Sequence, residues 1–358
     1  MRTVKPTFGS LFAGVGGFDL GFEAAGWACK FQVENDKNCQ EVLTHHWPNV
    51  ARYWDIKDVN GAELPTVDCI NFGSPCQDLS VAGKQQGLQG NRSGLFYEAT
   101  RIIREMRQGS NNEYPKIAVW ENVPGALGSN NGEDFAAVLK NLADLGALVI
   151  EWAVLDAQYY GVPQRRRRVF VVAILDPAIA RDCPPEILPL TEGRRRNTKK
   201  GNTQRQRTTA EPQSSVNEYL PYVKVIRPQT DEHPEVWREE QIAPTLNAFD
   251  NGGEARATVI FTAQRVGETP RIYENKAPSL LSRMGTGGNN VPMTFSFGWQ
   301  VRRLTPLECE RLMGWPDDHT RYKSDGTEQA DSNRYKQCGN GVVAPVAQWI
   351  AQHLERII

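Results

Sequence analysis

The chain is predicted to be an α/β protein: a mixed, mostly parallel sheet with helices on both faces, joined to a smaller, loop-rich, β-containing domain. Three observations predict this. Short β-rich apolar runs alternate with helical patterns through the first half of the chain, the pattern of a parallel α/β sheet. The alternation stops after Asp176, where prolines and a long polar stretch replace it. Helical periodicity then returns near the C-terminus, so the chain leaves the first domain, builds a second and comes back. The expected divisions are 1–176, 177–300 and 301–358.

In the first division, β-rich runs occupy 8–12, 29–33, 67–72, 117–120, 149–155 and 169–174. Helical patterns lie at 94–106 and 135–145, and another follows the glycines at 14–17. Ligands of such sheets bind at the carboxyl ends of the strands, so the loops there are where chemistry is expected. The second division holds, within a proline-containing 177–228, a basic stretch at 193–208 with seven Lys or Arg residues and no acid; it predicts a loop or linker. A weak repeat follows, Ala243-Pro244-Thr245-Leu246 before Gly252-Gly253 and Ala277-Pro278-Ser279-Leu280 before Gly287-Gly288, with β-like runs at 257–262 and 293–297. In the third division Thr305 and Glu308 fit a capping box for a helix to 313. Val346, Ile350, Leu354 and Ile357 recur at helical spacing in a last helix over 345–357.

Composition bounds the function. The 358 residues suit two domains, and 40% hydrophobic content supports a substantial core. With 41 Lys+Arg against 42 Asp+Glu, net charge does not announce a nucleic-acid partner, and any basic surface must be local. Seven cysteines form no Cys-x-x-Cys, so no metal site is expected, and their odd count without a framework suits a reducing cytoplasm. No signal-peptide pattern is present, and no apolar run approaches the roughly 20 residues that span a bilayer. No membrane partner is expected.

Five segments carry candidate chemistry. In Phe12-Ala13-Gly14-Val15-Gly16-Gly17 a strand enters a glycine turn before a helix, which lets backbone approach a ligand; a tight structural turn fits equally well, and Asp19 stands where a dinucleotide fingerprint wants glycine. Glu34 follows the second strand, where an acid accepts from a ribose or is simply solvated. Asp55-Ile56 closes the next strand or, alternatively, Asp55 caps a helix. Gly73-Ser74-Pro75-Cys76-Gln77 presents a cysteine after a strand end; most free cysteines are small buried hydrophobes, but the Pro75 turn argues otherwise. The Gly/Gln-rich 78–92 reads as a loop able to close over a substrate. In Val119-Trp120-Glu121-Asn122-Val123 a strand ends in a carboxyl group that burial would hold protonated, with a structural cap as the plain alternative. Finally Gln164-Arg165-Arg166-Arg167-Arg168 feeds a core strand; at β spacing Arg166 and Arg168 share one face.

The order of these segments closely resembles the cytosine C5-methyltransferase family: the Phe-x-Gly-x-Gly-Gly turn, Pro75-Cys76-Gln77, Glu121-Asn122-Val123, the Gln-Arg-x-Arg-x run and Gly339-Asn340. The resemblance implies a Rossmann-like fold and S-adenosyl-L-methionine as cofactor. It implies that the Cys76 thiolate adds to cytosine C6, making C5 nucleophilic, while Glu121 holds N3 and Arg166 and Arg168 contact the base carbonyl, the backbone or the catalytic loop. Phe12, Gly14, Gly16, Gly17, Glu34, Asp55, Ile56, Pro75, Leu95 and Asn340 would form the cofactor pocket. The middle division would be a target-recognition domain. Gln77, Ser80, Arg166, Arg168 and either Thr245-Leu246 or Ser279-Leu280 would touch duplex DNA, with the target base flipped out. Two departures are visible: Ser74 stands where the family often has proline or phenylalanine, and Gly341 where serine is frequent. A monomer acting in the cytoplasm of a bacterium or phage-infected cell is expected, with a cognate restriction endonuclease as a separate partner.

Three rivals stand beside this reading. An RNA cytosine C5-methyltransferase shares the motifs, but the long glycine-rich middle region favours DNA. A catalytically silent DNA-binding protein is opposed by intact Cys76 and Glu121, and a Rossmann oxidoreductase by the glycine spacing.

Overall fold

The computed structural model describes residues 5–74, 94–189 and 304–358, together with the backbone of six short strands between 222 and 303. One sheet has the strand order β3-β2-β1-β4-β5-β7-β6. Its strands are β1 (Thr7–Leu11), β2 (Ala28–Val33), β3 (Ala51–Tyr53), β4 (Cys69–Phe72), β5 (Ile117–Asn122), β6 (Val149–Asp156) and β7 (Arg167–Ile174). β1 to β5 run parallel, and β7 inserts antiparallel between β5 and β6. The chain builds outward from β1 to β3, then returns to the other side of β1 with β4. Strand order therefore reverses between β1 and β4, and the crevice beyond their carboxyl ends is the topological switch point.

The helices are α1 (Gly17–Ala24), α2 (Lys37–His46), α3 (Leu95–Gly109), α4 (Glu133–Asp144), α5 (Pro177–Asp182), α6 (Pro306–Leu312), α7 (Asp331–Asn340) and α8 (Ala344–Glu355). The central strands read as continuous apolar runs because both faces are covered. Ile117 and Val119 of β5 join one core with Phe18, Phe22, Trp349 and Ile350, while Ala118 and Trp120 join the other with Phe96, Ile102 and Val138. α3 lays Phe96, Ala99, Ile103 and Met106 on that second core at helical spacing. The capping box of Thr305 and Glu308 starts α6. α8 packs on α1, where Trp27 Nε1 donates to the Ala351 carbonyl at 3.2 Å, so the C-terminal return completes the first core.

α2, α5 and α7 go beyond the sequence reading. α2 buries only Cys39, Val42 and Leu43, and Asp36 caps it by accepting from Asn38 and Cys39 N–H. α7 has little apolar patterning because it buries polar side chains, Arg334 and Gln337, beside Tyr335 and Cys338.

Contacts group 1–209 with 258–358 as one compact unit. It holds a second, antiparallel sheet in the order β11-β10-β12-β13, formed by β10 (Val259–Thr262), β11 (Arg271–Glu274), β12 (Pro292–Ser296) and β13 (Gln300–Arg303). β10 and β12 fall on the β-like runs expected at 257–262 and 293–297. Residues 210–257 form a separate small unit in which β8 (Tyr222–Ile226) pairs antiparallel with β9 (Val236–Glu239). Among the described residues no helix is long and apolar enough to cross a membrane.

Candidate active site

The glycine turn after β1 is a left-handed path. Phe12, Gly14 and Gly16 have φ of 55°, 59° and 84°, a region costly for side-chain-bearing residues. At Gly16 an added Cβ would lie 2.4 Å from the Trp47 ring; at Gly17 it would meet the Val342 backbone at 2.5 Å. Gly14 is different, because a Cβ there would find nothing within 4 Å. The turn is packed tightly from behind and open at Gly14. Glu34 fixes it in front: Oε2 accepts from Gly14 N–H at 2.7 Å and Oε1 from Asp36 N–H at 2.8 Å. Burial raises the Glu34 carboxyl above the usual range, against these bonds. α1 starts at Gly17 without a side-chain cap.

The next strand of the pocket ends earlier than the sequence suggested. β3 stops at Tyr53, and Asp55 caps a short 3-10 turn by accepting from Lys57 N–H at 3.0 Å. The capping alternative for Asp55 is the one the structure has. Ile56 is buried, and its carbonyl accepts from Arg101 Nη2 at 2.8 Å. Leu95 opens α3, partly buried against the same core.

β4 leads out between the two acid sites. Beyond Phe72, Gly73 passes so close to Glu121 that a Cβ would lie 3.1 Å from Oε2. Ser74 Oγ accepts from Trp120 Nε1 at 3.1 Å, which explains one departure: a proline or phenylalanine here would leave that buried indole N–H without this acceptor. Pro75, Cys76, Gln77 and Ser80, and the loop expected over 78–92, lie outside the described residues, as do Thr245, Leu246, Ser279, Leu280 and the basic stretch 193–208.

Glu121 sits at the end of β5 with Arg168 beside it on β7; Arg168 Nε is 3.1 Å from Glu121 Oε1. Burial lifts the Glu121 carboxyl above the usual range, and Arg168, then Arg166, pull it back only in part. The inward pair of the arginine run is Arg166 and Arg168, as β alternation requires, while Arg165 and Arg167 are exposed. A small recess is lined by Glu121, Arg166, Arg168, Leu155, Ala157, Phe170, Val342, Val343 and Val346.

The two inward arginines do different things. Arg166 is 2% exposed and its Nη2 donates to the carbonyls of Gly339 at 3.0 Å and Gly341 at 2.7 Å, on either side of Asn340. It thus fixes the backbone that presents the exposed Asn340. At Gly341 a Cβ would lie 2.4 Å from Trp315 Cζ2, and Trp315 Nε1 donates to Val342 O at 3.0 Å. The tryptophan occupies the space a serine would need, which explains the second departure.

No sequence motif marks His319. Its Nε2 donates to the Val15 carbonyl of the glycine turn at 2.7 Å, and its ring stacks on His46 with centroids 4.3 Å apart. Burial pushes it down to about 3, with His46 adding to the shift. Its ring is therefore neutral, with the proton on Nε2.

The geometry joins an open glycine turn and a carboxylate at the ends of β1 and β2 to a buried acid–guanidinium pair at β5 and β7, with the lead-in to Cys76 between them. The family model for the C-5 cytosine-specific DNA methylases matches residues 7–356. The chain is 30% identical to Type II methyltransferase M.Bsp6I of Bacillus sp. (strain RFL6), covering 96% of this chain and 97% of that protein. It is 29% identical to Type II methyltransferase M.HhaI of Haemophilus parahaemolyticus (97% and 93%) and 38% identical to M2.BsuMI of Bacillus subtilis (strain 168; 97% and 75%). The fold is similar to that of the S. pombe Dnmt2 methyltransferase, with a TM-score of 0.62 at 16% identity over 98% of this chain and 99% of that one.

Proposed function

The chain belongs to the C-5 cytosine-specific DNA methylase family, and we propose that it methylates one cytosine of a specific duplex sequence through a covalent Cys76 adduct. The observation that carries this reading is the Glu121–Arg168 pair, set against Gly73-Ser74 where the chain runs into Pro75-Cys76. As a member of the family it is a DNA cytosine C5-methyltransferase, and the methylation is S-adenosylmethionine-dependent.

The residues fit that cofactor. The glycine turn is packed behind Gly16 and Gly17 but open at Gly14, so backbone can approach a ligand there. Glu34 already accepts two backbone N–H groups, yet a carboxylate has roughly four acceptor sites, so capacity remains for ribose hydroxyls. Phe12, Ile56, Leu95 and Pro75 would supply apolar walls, Asp55 a polar edge, and Asn340 an amide on the backbone that Arg166 holds. Bound S-adenosylmethionine supplies an electrophilic methyl group.

The chain's own residues prepare the base. The target atom is unreachable inside a duplex, so the cytosine is flipped out. The Cys76 thiolate forms a bond to C6. Burial raises the Glu121 carboxyl, which favours the acid form that donates to N3 and disperses the negative charge that would otherwise build on the ring. Arg168 holds Glu121 in place and faces the base carbonyl. C5, now enamine-like, would take the methyl group, with S-adenosylhomocysteine as the leaving group; water removes the C5 proton, Cys76 leaves as the thiolate, and the N3 proton returns to Glu121.

Residues 1–176 and 301–358 would form the catalytic domain, and 177–300 the target-recognition domain. Gln77, Ser80, Thr245 or Ser279, and Leu246 or Leu280 are the proposed DNA contacts, with phosphate held by the basic 193–208. The protein would act as a cytoplasmic monomer; type II relatives point to a cognate restriction endonuclease acting separately. Methyl transfer from labelled S-adenosylmethionine to a random duplex pool, read by bisulfite sequencing, tests the reading against transfer RNA as rival substrate. Fixed sequence-specific methylation of duplex DNA is expected; methylation of RNA alone would overturn it.

A further inference from the structure

Beneath the glycine turn, three polar side chains form one row across the sheet. Gln32 of β2 and Asn71 of β4 are the register partners of Ser10 on the two sides of β1. All three are fully buried, and so is Asp19 of α1, whose carboxyl closes over the row. Each member leads, within two or three residues, into a loop of the site: Ser10 to Phe12, Gln32 to Glu34, and Asn71 to Gly73-Ser74.

The hydrogen bonds have a proton count. Asp19 Oδ1 accepts from Gln32 Nε2 at 2.8 Å and from the Cys29 thiol at 3.4 Å. Ser10 Oγ lies 2.7 Å from Asn71 Oδ1 and 3.0 Å from Asp19 Oδ2. A serine hydroxyl has one proton to give. Donated to the nearer oxygen, on Asn71, it leaves the Asp19–Ser10 contact as a hydrogen bond only if Asp19 Oδ2 carries a proton. The opposite arrangement turns the Asn71 amide over, which gives its otherwise unpartnered Nδ2 a bond to Ser10 Oγ, and sends the serine proton to an ionised Asp19. That places a carboxylate in the core with no cation against it among the described residues. The titratable groups that face it are Glu23 on its own helix, which repels an anion, and Cys29 on β2. The N-terminus of α1 favours an anion, but burial outweighs it and raises the Asp19 carboxyl.

We infer that Asp19 is a neutral acid whose proton sets a one-way relay, Asp19 to Ser10 to Asn71, and that this relay is the positioning element holding the glycine turn in register with the strand end that carries Cys76. The role given to the turn rests on the cofactor reading proposed for it; the proton count does not.

The test uses the full chain and three variants. Asp19→Asn presents the neutral acid's own pattern, an N–H toward Ser10 and an oxygen toward Gln32. In protein free of cofactor and DNA near neutral pH, infrared difference spectra should show the C=O stretch of a protonated carboxyl in the wild type that Asp19→Asn lacks. Asp19→Asn should bind S-adenosylhomocysteine within about twofold of wild type, and Asp19→Ala and Ser10→Ala at least about tenfold more weakly. The melting temperature of the wild type should fall more steeply with rising pH than that of Asp19→Asn, since a carboxyl raised on folding loses its contribution as pH rises through its folded value. Should Asp19→Ala not fold, Ser10→Ala decides the positioning claim. Absence of the band, or Asp19→Asn binding as weakly as Asp19→Ala, overturns the inference. A band with no binding of S-adenosylhomocysteine by the wild type upholds the neutral acid and overturns the cofactor reading and the positioning role.

Discussion

Replacing Arg168 by alanine tests how the acid at the end of β5 is held. Arg168 Nε is 3.1 Å from Glu121 Oε1, and the two side chains are only 17% and 12% exposed. Breaking a buried pair costs about 3–5 kcal/mol when the remaining charge is trapped. Burial raises the Glu121 carboxyl above its usual range, so proton uptake there relieves the charge left behind when Arg168 is removed. The cost should fall to that of a lost buried hydrogen bond, about 1–3 kcal/mol of stability. The loss of a preorganised group should lower the single-turnover methyl-transfer rate on the order of 10²–10³-fold. The pH dependence has a definite sign. If Glu121 works as an acid, wild-type activity falls as pH rises through its folded pKa. Arg168 is the strongest influence lowering that pKa, so removing it moves the alkaline limb to higher pH even while the plateau drops. Single-turnover rates on a fixed duplex across pH, with cofactor and DNA saturating, provide the assay. A limb that stays put or moves to lower pH would refute the acid role, and a wild-type plateau would refute the holding role.

Three other predictions are more local. Gly16→Ala places a Cβ 2.4 Å from the Trp47 ring at φ 84°, which costs about 1–2 kcal/mol of backbone strain before the ring moves, so S-adenosylhomocysteine should bind about tenfold more weakly by calorimetry; unchanged affinity would mean the turn is not the cofactor site. Gly341→Ser should lower the melting temperature, and Trp315→Phe, which removes the ring atoms in its way, should restore part of it, with a coupling of about 0.5–3 kcal/mol; strictly additive effects count against the close packing. His319→Gln should flatten the loss of stability as pH falls from the ordinary 6.5 toward about 3, because the buried neutral ring must otherwise charge on unfolding; an unaltered acid limb would contradict the assignment.

Much of this architecture is readable in the chain because its signals are local. Strands buried on both faces show as apolar runs, and β1, β2, β4, β5, β6 and β7 fall where those runs lie. α3, α6 and α8 announce themselves through apolar spacing and the Thr305–Glu308 box. Features that depend on distant partners are silent. The destination of Arg166 is a pair of carbonyls on either side of Asn340, more than 170 residues away, so the run of four arginines reveals which two point inward but not that only one of them meets Glu121. α7 shows only a weak apolar stripe because Arg334 and Gln337, satisfied by hydrogen bonds, share its buried face with Tyr335 and Cys338. The fit of Ser74 to Trp120, of Gly341 to Trp315 and of His319 to Val15 likewise needs side chains from separate elements to meet.

The central claim is the bond between Cys76 and cytosine C6. A duplex carrying 5-fluorocytosine at the methylated position, incubated with the protein and S-adenosylmethionine, tests it most directly: fluorine cannot leave C5 as a proton does, so Cys76 cannot be released after methyl transfer. A denaturation-stable protein–DNA adduct is expected with the wild type and none with Cys76→Ala, although that variant still binds the duplex. An adduct formed by Cys76→Ala, or none formed by wild-type protein that methylates the unfluorinated sequence, would contradict it.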